Sequence, residues 1–110
     1  MKVRHERSSA PPPVAIASAL LTNAVGLHAR PSVKLTRAAK TFSCTVEVAL
    51  DPSGPWVDAK SPVKIMRFRA PKGVMLYFRA LGEDADNAVA TLAALVSGRF
   101  GGEAADTGHA

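Results

Sequence analysis

Seven consecutive residues, Gly26-Leu27-His28-Ala29-Arg30-Pro31-Ser32, carry the chemistry legible in this chain. His28 stands just ahead of a predicted helix start, and Arg30 follows two residues later. Pro31 falls in the first turn, where its missing N–H costs nothing. A helix N-terminus offers unpaired backbone N–H groups and the positive end of the helix dipole, which together make an anion site. A neutral imidazole beside that end can accept a phosphoryl group, and imidazole, titrating ordinarily near pH ~6.5, is largely neutral at pH 7. The phosphoramidate that results is labile, so the group can be passed on. A serine phosphate would be too stable for that work. The Arg30 guanidinium can hold phosphate oxygens and stabilise the group in transfer. The backbone N–H groups of Ala29, Arg30 and Ser32 are expected to hold the same oxygens.

The elements that must position these residues follow from hydrophobic periodicity. Residues 14–21 read as a strand, with Val14, Ile16, Ser18 and Leu20 on one face. Residues 22–27 form a loop that ends in Gly26-Leu27. Residues 29–40 read as a helix whose apolar side carries Leu35, Ala38 and Ala39 and continues to Phe42. Residues 42–50 alternate clearly and predict a strand with Phe42, Cys44, Val46, Val48 and Leu50 on one side. Asp51-Pro52-Ser53-Gly54-Pro55 is a turn, and residues 56–59 a short strand. Ser61 followed by Pro62 marks a helix start, an N-cap and then a first-turn proline. That helix is expected to reach about Phe68, with Ile65 and Phe68 in the core. Pro71-Lys72-Gly73 turns into a last strand over residues 74–81. A final helix starts at Asp84 and buries Ala85, Ala88, Val89, Leu92, Leu95 and Val96. Gly98 and Arg99 close it. The order is β-α-β-β-α-β-α, an α+β fold. It suggests an antiparallel sheet with helices packed on one face.

Composition narrows the function. A chain of 110 residues is one domain, and a 47% hydrophobic content supports a real core. The net charge of +5 admits nucleic acid, anionic membrane or an acidic protein partner. Aromatics are only 5%, and none lies between Arg30 and Lys40, which argues against a single-strand nucleic-acid binder. The single cysteine, Cys44, allows no intramolecular disulfide and suits a reducing cytosol. One Cys and three scattered His make no four-ligand metal site. The basic start over residues 1–7 and the apolar residues 14–21 sketch a secretory signal. The intervening Pro11-Pro12-Pro13 and the short, small-residue run argue instead for a tail, then a strand. Residues 1–13 and 101–110 read as flexible tails, with His5 and His109 as solvated tail histidines. No run approaches the ~20 apolar residues of a membrane span.

The loop from Gly26 to Ser32 closely resembles the active-site loop of the HPr family, the phosphocarrier proteins of the bacterial phosphoenolpyruvate-dependent phosphotransferase system. The register extends from about Val14 to about Phe100, through Ala59-Lys60-Ser61 and Gly82-Glu83-Asp84. The resemblance implies an open-faced β-sandwich of four strands and three helices. It implies phosphorylation of His28 at Nδ1, Arg30 as the stabilising cation, enzyme I as donor and an enzyme IIA component as acceptor. The protein would act in the cytoplasm as a monomer, without a dissociable cofactor. Leu27, Pro62, Val63, Met66 and Arg67 match positions that the family uses to contact partners. Arg30, Lys34 and Arg37, spaced by four and three, share a helical side suited to an acidic partner surface. Ser61 matches a serine that some members phosphorylate for regulation, through a serine kinase/phosphorylase, although an N-cap role suffices for it. The ending Leu95-Val96-Ser97-Gly98-Arg99-Phe100-Gly101 is similar to carriers of the nitrogen-related branch, and both the sugar and nitrogen branches stay open. Val25, Pro62, Lys64, Arg69 and the longer turn over residues 51–55 depart from the usual pattern.

Three other functions fit less of this. A regulatory binding module of the same fold, docking on a kinase or transcription regulator by its phosphorylation state, is the alternative, and the presence of both His28 and Arg30 favours the carrier. A nucleic-acid-binding domain would show steeply salt-dependent oligonucleotide binding. A self-contained enzyme would need a second acid or base, a nucleotide loop or a metal set, and the sequence offers none.

Overall fold

The computed structural model describes residues 14–22 and 26–100. The expected tails, and the departure at Val25, lie outside those residues. Among the described residues four strands and three helices follow the expected order: β1 (Val14–Leu20), α1 (Ala29–Lys40), β2 (Thr45–Ala49), β3 (Val57–Asp58), α2 (Pro62–Met66), β4 (Met75–Leu81) and α3 (Ala85–Ser97). The strands form one antiparallel sheet in the order β1-β4-β2-β3. Helix α3 packs across β1 and β4, and α1 lies against α2 and α3. The result is the open-faced α+β sandwich.

The core lies between sheet and helices. Val46, Val48, Leu76 and Phe78 from the strands meet Leu35, Ile65, Leu92 and Val96 from the helices, all fully buried. Burying side chains of this size contributes about 1.5–3 kcal/mol each. On β1 the inward residues are the small ones, Ala15 and Ala19, set beneath a helix that buries Ala85 and Ala88. Small residues on both elements let α3 approach β1 closely. The face carrying Val14, Ile16 and Leu20 is the outer one, and Ile16 is 67% exposed.

Strand β2 is shorter than its alternation predicts. Phe42 N–H still donates to Ala39 C=O, which prolongs the end of α1. The carbonyls of Phe42 and Cys44 accept from Lys60 Nζ at 2.8 and 2.9 Å, so they are turned to a lysine rather than to a neighbouring strand. At the far end, Gly54 N–H closes a turn onto Asp51 C=O at 2.8 Å. Helix α2 ends at Met66, short of Phe68, and the chain leaves through Arg69 at φ 50°. Among the described residues no helix is long and apolar enough to cross a membrane.

Candidate functional site

His28 is the N-cap of α1, with extended backbone at φ −121° and ψ −164°. Its side chain makes no capping hydrogen bond, so the first-turn N–H groups are left to other acceptors. Its carbonyl accepts the first helical bond, from Ser32 N–H at 3.0 Å. That bond corrects one expectation. Ser32 N–H belongs to the helix and does not face an anion. Pro31 has no N–H to give. Ala29 and Arg30 therefore hold the donors that the helix leaves unused. Both residues are exposed, while Pro31 and Ser32 are buried. His28 itself is half-buried, with Nε2 inside. No acidic residue lies in the first turn to compete for the positive end.

The loop before His28 is sewn to the loop between α2 and β4. Gly73 N–H donates to Leu21 C=O at 2.7 Å, and Leu21 N–H donates to Val74 C=O at 2.9 Å. Nearer the site, Leu27 N–H donates to Ala70 C=O at 2.9 Å. Gly26, at φ 73°, makes this approach possible. A Cβ there would lie 2.4 Å from the Ala70 oxygen and 2.9 Å from Pro71 Cα. Leu27 is 5% exposed and part of the core. The expectation that it contacts partners is corrected: its side chain anchors the loop from below.

The remaining expected contact residues divide. Arg37 and Arg67 are exposed, Val63 is 54% exposed, and Pro62 and Met66 are half-buried. Because α2 lies against α1, the packing brings their two segments together. Lys34, half-buried, donates from Nζ to Phe100 C=O at 2.9 Å, 66 residues away. Its place on the basic side is thus also a tether for the chain beyond α3, a role spacing alone did not reveal. Ser61 acts as the N-cap of α2, its hydroxyl accepting from Lys64 N–H at 3.3 Å, with Pro62 behind it. Thr36 and Ser32, which look solvent-facing by type, are buried on the inner side of α1. Only the packing of α1 could have shown that. Cys44 is free and buried. Among the described residues no group of three or more His, Cys, Asp or Glu is placed to hold a metal.

The PTS-HPr family, described as "PTS HPr component phosphorylation site", matches residues 17–98. The phosphocarrier protein HPr of Pseudomonas aeruginosa is 36% identical over 80 residues, which span 73% of this chain and 88% of that protein. That of Cupriavidus necator is 38% identical over 81 residues, 74% of this chain and 89% of the relative. A multiphosphoryl transfer protein of Haemophilus influenzae is 37% identical over 83 residues, 74% of this chain but only 17% of that longer protein. Among solved structures, HPr-C-His from Thermoanaerobacter tengcongensis superposes with a TM-score of 0.71 at 30% identity, covering 79% of this chain and 96% of that one.

Proposed function

The chain belongs to the HPr family of phosphocarrier proteins of the phosphotransferase system, and from that premise we propose that His28 is its phosphoryl acceptor. The donor is phospho-enzyme I and the recipient an enzyme IIA component. The observation that carries this reading is the position of His28 as N-cap of α1, with the N–H groups of Ala29 and Arg30 opening beside it.

Burial of Nε2 supports Nδ1 as the reacting atom. Its lone pair forms the new N–P bond as the donor's bond to phosphorus breaks, and that electron pair stays with the donor. Three oxygens carry the negative charge through the transfer, so catalysis is chiefly positioning and charge. The Ala29 and Arg30 N–H groups, the helix dipole and the Arg30 guanidinium supply positive charge there. The same groups reverse the step when a IIA nucleophile attacks the phosphorus. Arg37, Val63 and Arg67, exposed on α1 and at α2, form a docking surface of cations around an apolar centre.

The test is incubation with phosphoenolpyruvate, magnesium and enzyme I, followed by intact mass under alkaline conditions. One acid-labile phosphate is expected on the natural chain and none on His28→Ala. Absence of phosphate with a cognate enzyme I would overturn the reading. Transfer to sugar-branch or nitrogen-branch IIA proteins then identifies the branch.

A further inference from the structure

Between β3 and α2 lies a cleft of about 450 Å³ that the phosphoryl chemistry does not use, lined by Glu47, Trp56, Asp58, Lys64, Arg67 and Phe68 among others. Its size falls within the range of small-molecule sites. Its walls divide by chemistry. Trp56 and Phe68 are half-buried and supply flat apolar surface. The Arg79 guanidinium stacks on the indole, 4.3 Å from the ring centroid, and fixes its orientation. Arg79 Nε also donates to Glu47 Oε1 at 2.7 Å, so the Glu47 charge is answered within the wall. Asp58 Oδ1 accepts from the Lys60 backbone N–H at 2.9 Å. Lys64 and Arg67 are exposed, and among the described residues neither side chain is ion-paired.

The aromatic surface of Trp56 and Phe68, together with two cations that have no ion-pair partner among the described residues, selects a ligand with a ring at one end and two negative charges at the other. We propose that this cleft binds an aromatic phosphate of about nucleoside monophosphate size, its ring against Trp56 and Phe68 and its phosphate on Lys64 and Arg67. Two cations match a phosphomonoester dianion, and a guanidinium grips it bidentately. The ring is what separates such a ligand from inorganic phosphate or a sugar phosphate, which would gain only the exposed charges. The proposal is independent of His28.

Trp56 is the only tryptophan in the chain, so its fluorescence reports this cleft directly. AMP serves as the probe on the full chain, with adenosine and ribose 5-phosphate as the two halves. Saturable quenching by AMP is expected, with each half binding about tenfold or more weakly. Replacing both cations (Lys64→Ala with Arg67→Ala) should weaken AMP about tenfold and leave adenosine unchanged. Both positions are exposed, and an unchanged Tm confirms that the variant is folded. Amide NMR shifts should centre on Val57, Asp58 and residues 64–68. No saturable response up to about 5 mM AMP, equal binding of ribose 5-phosphate, or shifts centred on Ala29 and Arg30 would each overturn the proposal.

Discussion

Replacing Gly26 by alanine tests whether the loop contact is what places His28. The new Cβ would sit 2.4 Å from the Ala70 carbonyl oxygen, and both that atom and Pro71 Cα are backbone. No side chain can swing aside, so the two loops must separate. An L-residue at the φ of 73° adds about 1–2 kcal/mol of backbone strain. Separation also weakens the Leu27 N–H to Ala70 C=O bond, worth about 0.5–1.5 kcal/mol. The sum is a loss of about 1.5–3.5 kcal/mol, beyond the usual surface substitution. Gly73 supplies the control. It lies in the partner loop at φ 99°, and a Cβ there meets nothing within 4 Å. Gly73→Ala should therefore cost only the backbone strain, about 1–2 kcal/mol. Urea denaturation with a common m-value measures both losses. Phosphorylation rates at saturating enzyme I then show whether His28 has moved, with Gly26→Ala slowed more than Gly73→Ala at temperatures where both are folded. Equal stability and equal rates for the two variants would refute the argument that the close approach at Gly26 positions the site.

Three further outcomes follow from other local features. Arg69 sits at φ 50° after α2, so Arg69→Gly should raise stability by about 0.5–1 kcal/mol, read from the urea midpoint. Ser61→Ala should cost about 1 kcal/mol by removing the α2 cap, whereas Ser61→Asp, another good capping residue, should cost much less; thermal melts of the pair decide whether capping is its role. Hydrogen bonds from the Ser53 hydroxyl and backbone N–H hold the Asp51 carboxyl below the ordinary aspartate range. That contribution is fully present above the unfolded pKa and is lost as pH falls through the lowered folded value. Carboxyl-carbon NMR should find Asp51 titrating lower than usual, and higher in Ser53→Ala.

What the chain settled locally is what short-range physics governs. The bounds of α1 follow from Pro31 in the first turn and the spacing of Leu35 and Ala39, and they match at both ends. Ser61-Pro62 placed the start of α2, and the apolar spacing from Ala85 to Val96 placed α3. The proposed roles of His28 and Arg30 rest on the same short-range physics, since helix entry and charge sit within a few residues of each other. Tertiary packing decided the rest. Alternation in β1 defined two faces, but only the approach of α3 chose the alanine face as the inner one and left Ile16 in solvent. The order β1-β4-β2-β3 depends on pairings between distant segments, such as Ala17 with Phe78, whose loop-closure cost no local pattern records. Leu27 and Ser32 changed roles because burial and helical hydrogen bonding claimed them. Lys34 found Phe100, and Lys60 found Phe42 and Cys44, because long cationic side chains reach carbonyls that folding brings near. The stack of Arg79 on Trp56 arises the same way: a sheet partner, Glu47, aims the guanidinium, and only the assembled sheet puts the two side by side.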